Sequence, residues 1–420
     1  MRRLSIICIG WMSAVALATN AAAQTTLTWA DVRARFEANS PALRAGAIGI
    51  DEARADELTA FLRPNPQLTV GSDQVTIFPP ADGSGRFANM VTTAEFDYTR
   101  ERGGKRELRR DSAIGATTIA VSTQADLGRN LLFALRGAFV QLQQAKAFLD
   151  IAQQELTDYD QVLAVSLARY QNGDIAQIDL DRLQLQRVQY ESDVQTATVN
   201  LRTAKIELLR AMNDQTPVEQ FDVTGPYDFA APAGTLDEFR QTAISTRPDL
   251  KAAMQSVDKA KTDHQLAVSN GSVDPTFSTD VGWARSSDPS AYVGIGISMP
   301  LRIFDRNQGE KQKTQLDITR NEKLAEATRT QVLSDVSSAY ATVMSSVTLL
   351  QPYRATYLAQ ATRVRDTMTF AYQSGGASLV DFLQAQQDYR SVQIGYVNLV
   401  AAFLNAVSQL NLAIGQEVIP

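Results

Sequence analysis

The chain has 420 residues, a formal net charge of -6, 44% hydrophobic and 7% aromatic residues, one Cys and one His. The acid excess disfavours general nucleic-acid binding, and a single Cys leaves no disulfide framework or cysteine metal site. Few aromatics, many Ala, Gln and Leu, and long proline-free stretches point away from a compact mixed fold and towards extended helix.

The first 23 residues have the form of a secretory signal: Arg2 and Arg3, then apolar "LSIICIGWMSAVALA", then the small residues Ala21, Ala22 and Ala23 before Gln24. Cys8 goes with that segment, and Gln24 at the cleavage site implies a mature protein without a lipid. Losing two arginines and no acid takes the formal charge from -6 to -8. No later run of about 18 apolar residues suggests a transmembrane helix.

Residues 31 to 63 have a helical pattern, and the stretch from Arg247, "RPDLKAAMQSVDKAKTDHQLAVSN", repeats it. Each helix ends at an Asn-Pro or Asp-Pro step, Asn65-Pro66 and Asp274-Pro275, which favours extended backbone. Period-two runs follow: Leu68 and Val70, Phe96 and Tyr98, then Phe277 to Trp283, then Val293 to Met299. Two hairpins, four strands in all, are long enough to cross a bilayer within a closed barrel. Four strands cannot close one alone.

From Lys105 to Tyr170 there is no proline, and Leu135, Ala138, Leu142, Ala145, Leu149, Ala152, Leu156, Tyr159, Leu163, Ser166 and Tyr170 are spaced alternately by three and four. That is a coiled-coil seam on a helix about 100 Å long. The helix is expected to reverse at "YQNGDIAQIDLDRLQ", and 202 residues later "YQSGGASLVDFLQAQ" repeats the turn. Gly173 and Gly375 suit the left-handed residue that ends a helix. "DIAQ" and "SLVD" have capping-box spacing, with Asp174 or Ser378 as cap and Gln177 or Asp381 three residues on. Pro352 is expected to kink or break the second long helix.

Two anchors, "ERGGKRELRRDSA" and "SMPLRIFDRNQGE", follow the hairpins. With the repeat and the signal segment, they make the chain resemble the TolC family of outer-membrane efflux proteins, most of all its heavy-metal efflux, CzcC-like branch. The expected fold is mainly α with a small β part. The division is a signal segment 1–23, a first repeat 24–213 with a hairpin over 66–100, a connector 214–235, and a second repeat 236–420 with a hairpin over 275–301.

The resemblance implies a homotrimer with a twelve-stranded barrel in outer-membrane lipid and a long periplasmic helical tunnel. It implies a periplasmic adaptor and an inner-membrane transporter of the RND type as partners. The function implied is the passive exit duct of an efflux pump for heavy-metal cations or small toxic compounds, located in the outer membrane. A type I protein secretion conduit uses the same fold, and a soluble coiled-coil scaffold is the third reading.

At the tips, the resemblance places Asp381 in the closed entrance and has Asp179 and Tyr372 link neighbouring tips. Asp381 also reads as a helix-start carboxylate favoured by the helix dipole. The family's partner arginine would fall at Ala377 and a second acid at Gln384, so the latch is expected to be built differently. Gly103, Gly104 and Gly309 read as strand-to-helix junction glycines. The surrounding basic run, Arg100 to Arg110, reads as snorkelling side chains at a membrane boundary. His264 alone cannot make a transition-metal site, no cofactor is expected, and no nucleophile-base pairing or phosphate loop supports an enzyme.

Overall fold

A computed structural model describes residues 25–78, 81, 83, 85–285, 288 and 290–419, so the expected signal segment and Cys8 lie outside the described residues. A short strand β1 (Thr25–Leu27) leads into α1 (Trp29–Asn39) and α2 (Pro41–Ala60). Thr28 starts α1 with a complete capping box to Asp31, and Pro41 sits at the first position of α2, where no N–H is missed. The hairpin β2 (Gln67–Asp73) and β3 (Val91–Thr99) follows, then the 67-residue α3 (Lys105–Gln171) and the returning α4 (Gln177–Met212).

A connecting strand β4 (Phe221–Val223) pairs in parallel with β1. The plan then repeats: α5 (Leu236–Thr246), α6 (Pro248–Asn270), β5 (Thr276–Ala284), β6 (Ser290–Ser298) and α7 (Gln308–Pro352). After Pro352 the backbone forms a π turn, Tyr353–Tyr357, and continues as α8 (Leu358–Gln373), before the last helix α9 (Leu379–Ile414). Proline, which lacks an N–H to donate, is thus absorbed by a wider turn rather than by a loop.

Three apolar clusters run down the helices. One joins α1, α3 and α4 to β1 and β4 through residues such as Val32, Leu135, Leu142 and Phe221. Another joins α5, α7 and α9 through residues such as Val336, Val343 and Leu410. The third, at the far end, holds Tyr159, Leu183, Tyr372 and Phe382. On α3 the buried positions Leu135, Leu142, Ala145, Ala152, Tyr159 and Ser166 follow the seam, whereas Tyr170 is exposed. The helix α9 is long and apolar enough to cross a membrane, but most of its apolar stretch is buried inside the protein, which makes it a core helix.

The hairpins combine into one antiparallel sheet in the order β2-β3-β5-β6, with β2 and β6 as edges that pair with no further strand among the described residues. Its register puts Leu68, Phe96, Thr279 and Ile295 in one row and Tyr98, Phe277 and Ile297 in the next. Because side chains alternate across a strand, these rows form one apolar face, on which Ile295 is 87% exposed.

Candidate functional site

The sheet's other face is polar. Its rows are Gln67, Asp97, Ser278 and Gly296, then Thr69, Glu95, Asp280 and Gly294, with Asp73 at the end of β2. No strand of the sheet contains Lys or Arg. Among the described residues, Asp73, Glu95, Asp97 and Asp280 make no ion pair, so the face carries unbalanced negative charge. A Cβ at Gly294 would collide with the carboxylate of Asp280; glycine there leaves the acid room. The sequence signal for this face was present in the residues alternating with Phe96 and Phe277, but the apolar positions alone were followed.

Where sheet meets helix, Gly103 and Gly104 both have left-handed backbone, at φ 73° and 69°. The equivalent bend in the second repeat is made by Asn307 at φ 60°, whose amide donates to Ala267 O at 2.7 Å. Gly309 instead lies inside the first turn of α7, with open space around it. Four members of the basic run at the first junction, Lys105, Arg106, Arg109 and Arg110, are held within the protein rather than snorkelling. Lys105 is buried, and its ammonium donates to Asp274 Oδ2 at 2.5 Å and Ser272 O at 2.9 Å. Arg106 and Arg110 stack over the Phe61 ring at 4.2 and 4.7 Å. Arg109 pairs with Glu101 and reaches carbonyls at the end of α2. The charges pin both hairpins to the helices.

At the opposite end, each long helix terminates in a Schellman turn. Gly173 N donates to Tyr170 O and Asp174 N to Arg169 O, both at 2.9 Å; Gly375 N donates to Tyr372 O and Gly376 N to Ala371 O. Asp174 is therefore consumed in ending α3 and does not cap α4. The residue before α4 is Ala176, which has no capping side chain, whereas Ser378 caps α9 by accepting from Asp381 N at 3.2 Å.

Asp179 and Asp381 occupy equivalent third positions of the two returning helices. Asp179 faces Arg182 at 4.0 Å, and Asp381 accepts from Ser378 Oγ at 2.7 Å while its side chain stays exposed. Tyr372 is enclosed within its own chain: it stacks on Phe382 at 4.9 Å, and its buried hydroxyl has no hydrogen-bond partner. A link through that hydroxyl to another chain requires the tip to move.

Arg169 was not singled out by sequence reasoning. Its guanidinium donates to Tyr372 O at 2.6 Å and lies 5.5 Å from the Tyr372 ring, so it ties the first tip to the second. A basic residue in the last turn of α3, where the second repeat has Ala371, was the available signal. His264 shares a 3.0 Å hydrogen bond with Thr314, and no group of three or more potential metal ligands is gathered among the described residues.

The model of the outer membrane efflux protein family matches residues 32–214 and 239–416. The cobalt-zinc-cadmium resistance protein CzcC of Cupriavidus metallidurans is 22% identical over 378 residues, 89% of this chain and 86% of its own length. A solved structure of CusC superposes with a TM-score of 0.78 at 18% identity, covering 92% of each chain. VceC from Vibrio cholerae gives 0.73 at 16% identity, over 93% of this chain and 97% of its own.

Proposed function

The chain is a member of the outer membrane efflux protein family, and from that premise we propose that it forms the passive exit duct of a three-part pump for metal cations. It is an outer-membrane efflux protein and not an enzyme. The observation that carries the cation reading is the two-faced sheet. One face suits lipid, and the other presents Asp73, Glu95, Asp97 and Asp280 without a basic residue. Turned towards a lumen, those carboxylates concentrate cations and repel anions. The relative CzcC, named for cobalt, zinc and cadmium resistance, supports metal ions as cargo.

A homotrimer follows from two features that one chain leaves unsatisfied. Both sheet edges are bare, and open edges are not tolerated in lipid; three copies close a twelve-stranded barrel. On α4, Ile178, Leu185, Val199 and Ile206 keep heptad spacing and are all exposed, a second seam for a helix of the neighbouring copy. The tips then surround the periplasmic entrance, where Asp381 faces the pore, and they meet an adaptor that connects to an inner-membrane transporter of the RND type.

Planar-bilayer recording tests this reading. Wild type is expected to be cation-selective. Glu95→Gln/Asp97→Asn/Asp280→Asn moves the reversal potential towards that of a non-selective pore, and Asp381→Ala weakens block by divalent cations. An anion-selective wild-type channel, or a triple variant with unchanged selectivity, overturns it.

A further inference from the structure

Midway along the arm, α3, α4 and α9 enclose charges that the duct reading does not use. Glu155 on α3 has a side chain only 10% exposed, with Oε2 3.5 Å from Arg390 Nε on α9. Its Oε1 is buried and has no hydrogen-bond partner. Arg390 makes its closer contact with Asp193 on α4, 2.6 Å from Nη2 to Oδ2, yet that oxygen too lacks an aligned hydrogen bond. From α8, Arg365 stands 3.4 Å from Asp158 and 2.7 Å from Asp366. Tyr190 on α4 lies under Arg390, and Tyr389 on α9 under Arg365. Four carboxylates therefore share two guanidiniums. A cavity of about 170 Å³ is lined in part by Glu155, Asp193, Thr196, Asn200 and Arg390.

We propose that Glu155 is a proton-binding site in the helical arm: protonated, it lets α9 seat against the α3–α4 pair, and ionised, it draws water into the adjoining cavity and loosens that seat. A neutral carboxyl removes one negative charge from an over-acidic cluster and lowers the cost of keeping that side chain buried. An ionised one leaves a buried anion with one incomplete ion pair, a costly state that water relieves. The cavity is open towards solvent, and although Phe148, Ile151 and Ile394 line it too, Glu155, Asp193, Thr196, Asn200 and Arg390 give water polar partners there.

The titration range agrees. Burial raises the Glu155 carboxyl, Arg390 opposes the rise, Asp193 and Asp158 add to it and Arg365 opposes it, leaving it at about 7. A carboxyl whose folded value is raised binds its proton more tightly in the folded chain. Its contribution to stability is thus full at low pH, declines as pH rises from the unfolded range towards 7, and stays lost above that.

The test is hydrogen-exchange mass spectrometry on the assembled protein in detergent, following peptides of 386–397 between pH 6 and pH 8 after correction for intrinsic exchange. Wild type is expected to exchange about threefold or more faster at pH 8, a change of roughly 0.65 kcal/mol in local opening by RT ln 3. Glu155→Gln, which keeps the shape without the charge, holds the pH 6 behaviour throughout. Asp193→Asn removes a repelling acid and moves the midpoint to lower pH. A pH-independent wild type, an unchanged pH response in Glu155→Gln, or an unmoved midpoint in Asp193→Asn overturns the proposal. If Glu155→Gln does not assemble, the Asp193→Asn midpoint decides. The proposal rests on the duct reading only in calling these helices a tunnel wall, and because the readout is helix packing, it can fail while selective conduction stands.

Discussion

At the first tip α4 starts from Ala176 with no capping side chain, Leu180 is buried and Tyr170 lies 37% exposed. At the second, α9 starts from a Ser378 cap, Phe382 is fully buried and Tyr372 is 4% exposed. The two turns share their backbone, with left-handed Gly173 and Gly375 closing the same hydrogen bonds. The difference teaches that the repeat supplies the reversal, while side chains decide how firmly each tip is held. The second tip is capped, stacked on an aromatic partner and clasped by Arg169. The first has fewer ties and leaves its tyrosine at the surface.

The largest break in this contrast comes from the cluster itself. Phe382→Ala, emptying a fully buried ring site, should cost about 3–5 kcal/mol, whereas Leu180→Ala at the equivalent position should cost about 2–5. Denaturant unfolding of the detergent-solubilised protein measures both. A cheaper Phe382 change would mean that the second tip is not the firmer one.

A subtler effect follows from the tyrosine pair. Tyr372→Phe removes a buried hydroxyl without a partner and should stabilise by about 1 kcal/mol, while Tyr170→Phe should be neutral. If Tyr372→Phe instead loosens the tip and raises open probability, its hydroxyl has a partner on a neighbouring chain, and the resemblance-based link between tips holds. The cap sharpens the comparison at smaller scale. Ser378→Ala should lose about 1 kcal/mol, and Ala176→Ser should recover a similar amount at the first tip. Amide exchange in the opening turns of α9 and α4 reports each.

Much of this architecture was legible because its patterns are local. The seam on α3, read from Leu135 to Tyr170 and kept by the structure as far as Ser166, and the alternation of Phe277 to Trp283 are periodicities, and both tip glycines announce their backbone. The misreadings share a cause. Asp174 looked like a cap because spacing cannot say which helix claims a turn residue, and the Schellman bond to Arg169 O claims it for α3. Lys105 looked solvated because its partner, Asp274, is 169 residues away. Gly309 was taken for a junction residue, although Asn307 carries the left-handed bend. The Glu155 cluster draws on four helices and left no sequence signal.

The bare edges of the four-stranded sheet also bear on how the protein is made. A lone chain has strands with unpaired backbone at β2 and β6 and an exposed apolar face, so neither water nor lipid offers it a comfortable state. If copies close the barrel as proposed, maturation depends on protein concentration, because folding of the sheet and association of copies are then one reaction rather than two. Dilute synthesis should leave helical arms formed and hairpins vulnerable to proteolysis. A modest rise in expression should sharply increase the protected fraction, an order of assembly set by how often chains meet.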